Sequence, residues 1–270
     1  MEITDYTEIP DLHYVQPEDN VRLLDMYLPK TSEPYPVFIY FHGGGLENGS
    51  RKEKSSSSIK NLAECGIGLI TADYRMYPHA AFPDFIQDAA AAVAFTIKYG
   101  EEHGLFNKIY IGGSSAGAHL SMQLCFNRRY FTEAGIDFRK INGYVFDSGQ
   151  PTVHLNVLRE RGLDTRRICV DEAAPLYYLD ETFTNCGHQP EMLFIIAEND
   201  LPCRYEQNQV MIKTLEYLGY DMSKTIFRLM KGFSHCGYLA SQDPDGSWIW
   251  ADIIESFIRK GAIDTHEADH

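Results

Sequence analysis

The pentapeptide Gly113-Ser114-Ser115-Ala116-Gly117 constrains this chain more than any other feature. An apolar, strand-like run at residues 108–111 leads into it, and a helical stretch reaching residue 128 leads out. A strand that becomes a helix within so few residues has no room for side chains flanking the central one. Glycine at both ends removes the Cβ clash and lets Ser115 hold a strained backbone conformation with its hydroxyl exposed. That is the context a G-x-S-x-G nucleophile elbow requires. The helix that follows aims its backbone N–H groups at the same point, which favours negative charge there. Taken alone the pentapeptide also reads as an ordinary Gly/Ser-rich turn, so the rest of the chain has to decide.

Upstream, the apolar run at residues 36–41 ends in His42-Gly43-Gly44-Gly45. Glycine loses the most entropy on folding, so a buried strand spilling into three of them has little reason to exist for packing. A loop whose N–H groups must approach a ligand closely is a better account than a flexible turn. With the N–H of Ala116, those of Gly44 and Gly45 would form an oxyanion hole, Gly43 shaping the loop and His42 bracing it. Downstream, the apolar run 192–197 ends in Glu198-Asn199-Asp200-Leu201-Pro202, which offers two carboxylates. Asp200 also reads as a helix N-cap, with Pro202 suited to a first turn. A further strand-like run at 225–230 leads to Gly232-Phe233-Ser234-His235-Cys236-Gly237-Tyr238. His235, one of ten histidines, lies in this glycine-bounded loop ahead of the last helical stretch, and His119, on the helix after the elbow, reads as a packing residue.

The His42–Gly45 loop, then Asp73-Tyr74-Arg75 after a strand, then the Gly113–Gly117 elbow resemble the hormone-sensitive-lipase-like esterase branch of the α/β-hydrolases. They are similar, too, to the small bacterial feruloyl and acetyl esterases. The resemblance extends over residues 20–260 and is weakest at 150–190. It implies the chain order oxyanion loop, serine, acid, histidine. Ser115 is then the nucleophile, Asp200 the acid in preference to Glu198, and His235 the base. It implies a serine carboxylesterase acting on short acyl or aryl esters, acetyl or feruloyl, through an acyl-enzyme. Two alternatives stand beside it: an arylformamidase-type amide hydrolase, and a non-catalytic hydrolase-fold ligand receptor of the kind that has lost the histidine.

Apolar runs at 23–28, 37–41, 68–72, 108–111, 143–147, 192–197 and 225–230 alternate with helical stretches at 55–64, 83–103, 116–128, 204–218 and 247–259. Alternation of this kind predicts an α/β fold, a mostly parallel central sheet with helices on both faces, and a site at the carboxyl ends of its strands. One domain over residues 1–270 is expected, with 150–190 as a small cap insertion, longer than a normal crossover. Tyr74, Leu155 and Tyr177 are expected to line the substrate pocket. Asp73 and Arg75 are expected to be structural.

A net charge of −14 argues against a nucleic-acid surface. No run approaches membrane-spanning length, and residues 1–5 lack the pattern of a signal peptide. The six cysteines form no C-x-x-C pair. A cytoplasmic, reducing location is the expectation. No metal-ligand spacing stands out and the chemistry needs no cofactor. The expected partner is a small-molecule ester, with no membrane or nucleic acid, and a homodimer as the assembly allowed for.

Overall fold

The structure, a computed structural model, describes residues 5–53 and 56–266. Residues 1–4, on which the signal-peptide expectation partly rests, fall outside the described residues, as does residue 55, the expected start of the first helical stretch. Among the described residues, eight strands and eight α-helices follow one another in the order β1 (Tyr6–His13), β2 (Leu23–Pro29), β3 (Tyr35–Phe41), α1 (Ser56–Glu64), β4 (Gly68–Ala72), α2 (Asp84–His103), β5 (Phe106–Ser114), α3 (Ala116–Phe126), α4 (Arg129–Glu133), β6 (Gly143–Asp147), α5 (Leu155–Glu160), α6 (Glu181–Thr184), β7 (Glu191–Asn199), α7 (Arg204–Tyr217), β8 (Thr225–Ser234) and α8 (Ile249–His266). The strands form one sheet in the order β1-β2-β4-β3-β5-β6-β7-β8. Pairing is parallel from β4 through β8 and antiparallel where β2 meets β4 and β1.

Parallel strands covered on both faces need apolar residues pointing both ways, which is why they read as unbroken apolar runs. In β3, Val37, Ile39 and Phe41 point to the face covered by α2, α3 and α7, whereas Phe38 and Tyr40 point to the face covered by α1 and α8. The same alternation separates Phe146 and Phe194 from Val145, Leu193 and Ile195. Strand β1 does not stand out in the sequence. It is an edge strand of mixed polarity (YTEIPDLH), largely exposed and kept from over-pairing by its charges and proline. The helix after the elbow stops at Phe126, short of residue 128, because Asn127 leaves helical geometry.

Residues 150–190 carry α5, α6 and a 3₁₀ turn at Pro175–Tyr178. Val153, Val157, Leu158, Ala173, Ala174 and Phe183 are buried and join the core on the α2–α3 face, while residues 159–168 are exposed apart from the half-buried Glu160. Among the described residues no helix is long and apolar enough to cross a membrane. The carboxyl ends of β3, β5, β7 and β8 deliver Gly43–Gly45, Ser115, Asp200 and His235 to one edge of the sheet.

Candidate active site

Ser115 sits between β5 and α3 with φ 56° and ψ −111°, a left-handed conformation that an L-residue adopts only when its surroundings enforce it. The surroundings here are β3. A Cβ on Gly113 or on Gly117 would drive into the Phe41 carbonyl, so glycine at both positions lets the elbow lie against that strand. The Ser115 N–H donates to the Asp147 carbonyl at 2.7 Å, which ties the turn to the end of β6.

From that turn the Ser115 Oγ lies 2.9 Å from His235 Nε2, and His235 Nδ1 lies 2.6 Å from Asp200 Oδ1. A carboxylate only accepts, so Nδ1 carries the imidazole proton and Nε2 is left to accept from the serine hydroxyl. Asp200 is held by more than the ring. Its Oδ2 accepts from Ser148 Oγ at 2.6 Å and from the Ala197 N–H at 3.2 Å, and its Oδ1 accepts from the Leu201 N–H at 2.7 Å. Burial pushes this carboxyl upward, but the donors of His235, Ser148 and Leu201 together hold it below the ordinary range. Glu198 is exposed, and its Oε2 accepts the Gly232 N–H at 2.8 Å, so the geometry pairs Asp200 with the histidine. Nor does Asp200 cap α7, where the cap position belongs to Cys203.

Beneath the triplet lies a buried network that the sequence does not announce. Asp147, fully buried, accepts from Ser114 Oγ at 2.5 Å, from Trp250 Nε1 at 3.0 Å and from the Tyr238 hydroxyl. The Tyr238 hydroxyl also lies 3.2 Å from Ser148 Oγ, so the two hydroxyls, one donating to Asp147 and the other to Asp200, bring the buried network up against the acid. Burial pushes the Asp147 carboxyl up to about 6 against the pull of its donors. An aspartate at the end of an apolar strand is the available signal, but nothing local shows that three distant donors converge on it.

A cavity of about 350 Å³ opens at Ser115, lined by Gly43, Gly44, Gly45, Leu155 and His235 among others. Ala116 follows directly, buried at the first position of α3. Gly44 (φ 103°) has no space for a Cβ, which would strike the Asn48 carbonyl. His42 stacks on Tyr74, ring centroids 4.4 Å apart, and its Nδ1 lies 2.8 Å from the Gly43 carbonyl. The ring braces the glycine loop, and its burial pushes its pKa down.

Of the three expected pocket residues, Leu155 lines the cavity and two do not. Tyr74 is fully buried behind His42 and donates its hydroxyl to the His42 carbonyl at 2.8 Å. Tyr177 is exposed and packs edge-on against Tyr178. An aromatic beside a motif is the only signal for either, and it does not report direction. Asp73 accepts from the Arg51 backbone N–H at 2.6 Å, and Arg75 grips Asp88 through Nε and Nη2 (2.8 and 2.9 Å), both structural. His119 is buried with Nδ1 2.7 Å from the Gln150 carbonyl, and burial lowers its pKa to about 4. Cys236 lines the cavity, but burial pushes its thiol up, away from the reactive thiolate.

A twisted, mostly parallel sheet with a strained serine turn at the end of its fifth strand defines an α/β-hydrolase, and this chain has that fold. Residues 24–134 match the BD-FAE family model. Esterase LipC of Mycobacterium tuberculosis is 34% identical over 110 residues, 38% of this chain and 27% of that protein. The stretch that matches such relatives therefore spans only about a quarter of their length. Among solved structures, a truncated carbohydrate esterase from gut microbiota aligns with TM-score 0.75 at 19% identity, covering 97% of this chain and 98% of that one. Esterase B from Lactobacillus Rhamnosis aligns with TM-score 0.74 at 18% identity, covering 97% and 87%. These likenesses are consistent with the hormone-sensitive-lipase-like branch.

Proposed function

We propose that the protein is a serine ester hydrolase that cleaves short acyl or aryl esters through an acyl-enzyme. The observation that carries this reading is the hydrogen-bonded series Ser115 Oγ, His235 Nε2, His235 Nδ1, Asp200 Oδ1, with steps of 2.9 and 2.6 Å. A serine hydroxyl is a weak nucleophile at neutral pH and needs a base within reach. His235 takes the proton as Ser115 attacks the ester carbonyl, then gives it to the departing alcohol. Asp200 holds the imidazole tautomer and stabilises the imidazolium. Water then enters by the same route in reverse and releases the acid.

The negative charge that develops on the carbonyl oxygen is met by the N–H groups of Gly44, Gly45 and Ala116. The burial of His42 and Tyr74 behind the loop supports this role, because donors that are already fixed need no reorganisation as charge appears. Residues 150–190 act as a partial cap and contribute Leu155 and His154 to the cavity wall. Acetyl and feruloyl groups are the acyl classes that the sequence resemblance implies, and the likeness to a gut carbohydrate esterase supports ester cleavage.

A fluorophosphonate probe tests the reading directly. The wild-type protein is expected to be labelled on Ser115 and to hydrolyse 4-nitrophenyl butyrate, with both signals lost in Ser115→Ala. Equal turnover in the two proteins removes Ser115 from the mechanism.

A further inference from the structure

A second cavity, about 240 Å³, adjoins the first and shares Leu155, Leu201 and Arg204 with it. Its wall carries three arginines, Arg166, Arg167 and Arg204, together with Gln150, Gln207 and Thr165, and among the described residues no carboxylate lines it. In a chain of net charge −14 such a cluster is not a by-product of general basicity.

Arg204 is the informative member. It is only 4% exposed, yet its partners are neutral: Nη1 donates to the Ser148 carbonyl at 2.7 Å, and Nη2 lies 3.4 Å from Gln150 Oε1. Its buried Nε has no partner, and among the described residues no carboxylate pairs with it. A buried guanidinium stays protonated; the Asp200 carboxylate attracts it without reaching ion-pair distance, and desolvation outweighs that attraction. Arg167 likewise makes no ion pair among the described residues, whereas Arg166 is engaged with Asp164 at 2.6 Å. Gln207 accepts from Thr152 through Oε1 at 2.8 Å, which leaves its amide N–H groups as donors. A fixed, partly uncompensated cation joined to further donors is the arrangement that recognises a carboxylate.

We propose that this second cavity is a subsite for an anionic group of the substrate, so that the preferred ester carries a carboxylate on its acyl or its alcohol half. This rests on the ester-hydrolase reading above. Attack at Ser115 is unchanged, and Arg204 and Arg167 act by positioning, orienting the ester through its remote charge.

Two matched substrate pairs test it. Mono-4-nitrophenyl glutarate against 4-nitrophenyl butyrate places the charge on the acyl half, and 4-acetoxybenzoate against 4-acetoxybenzamide places it on the leaving half. The readout is the charged-over-neutral ratio of kcat/KM, compared between proteins so that intrinsic reactivity cancels. In one pair the ratio is expected to fall at least about fivefold in Arg167→Gln and about tenfold or more in Arg204→Gln, and the pair that moves identifies the half. Arg167 is exposed, so its variant keeps the test decisive should Arg204→Gln fail to fold. Arg139→Gln, on a distant exposed ion pair with Asp137, should keep both wild-type ratios. Turnover of the neutral esters with both ratios unchanged in Arg167→Gln overturns the subsite and leaves the esterase reading standing. No turnover of any ester and no labelling of Ser115 overturns the esterase reading, and the subsite falls with it.

Discussion

The elbow at residues 113–117 and the segment at 150–190 both contribute walls to the cavity at Ser115, and they are built on opposite terms. At the elbow the backbone is fixed on several sides: two glycines touch the Phe41 carbonyl region, the Ser115 N–H is tied to β6, and α3 is buried along its whole length. The segment 150–190 anchors itself with a few core side chains such as Val157 and Phe183, and leaves much of 159–168 in solvent. Reacting atoms need sub-ångström placement and so belong on backbone that cannot move. Groups that select a substrate tolerate looser support and sit on surface loops.

The comparison is sharpest where the expected effect is largest. Ser115→Ala should lower kcat on 4-nitrophenyl butyrate by about 10⁴-fold or more. A much smaller loss would mean that the elbow does not carry the chemistry. Next comes Gly117→Ala, which adds a Cβ where the Phe41 carbonyl stands. Its expected cost is about 3 kcal/mol or more in chemical denaturation, at the upper end for overpacking, since backbone cannot yield as a side chain would.

Asp147→Asn probes the support beneath the site through its pH dependence. Burial raises this carboxyl in the folded protein from 3.8 to about 6. The stability it contributes is therefore fully present below the unfolded pKa and is lost as pH rises through about 6. Relative to the asparagine variant, the wild type should lose about 2 to 3 kcal/mol between about pH 4 and about pH 7, followed by urea unfolding at each pH. His119 has the opposite sign. Its pKa is lowered to about 4, so its contribution is present above the ordinary histidine pKa and is lost as pH falls. Taking the difference between the two proteins cancels it. The smallest effect is expected in the exposed segment. Arg161→Ala removes a half-exposed ion pair with Asp171 (2.7 Å) and should cost under about 1 kcal/mol, with kcat changed less than about twofold. A large loss there would erase the contrast between the two regions.

The same contrast governs what the amino-acid sequence makes legible. The parallel strands are legible because burial on both faces forces continuous apolar runs. The elbow, the glycine loop and the late histidine are legible because each is a local backbone demand written in adjacent residues. Asp147 and Arg204 are not, because their roles exist only once β5, β6, β7, α7 and α8 are assembled. An arginine at a helix start reads as solvated, and no spacing reveals that it will be enclosed. Helices α4 to α6 span too few residues for a period to show. Tyr74 and Tyr177 depart from expectation because proximity in sequence says nothing about which way a ring faces.

The strand tips have a broader consequence. The Ser115 amide is bonded to the carbonyl of Asp147 and the Ser148 amide to that of Ile195, each at 2.7 Å, so the ends of β5 and β6 are stitched crosswise to each other and to β7. The separation between nucleophile and acid is then set by the inter-strand spacing, a quantity that scarcely varies among proteins. Connecting segments can lengthen, shorten or change composition without retuning the reacting distances. Such a lineage is free to acquire new substrates by rewriting its loops alone.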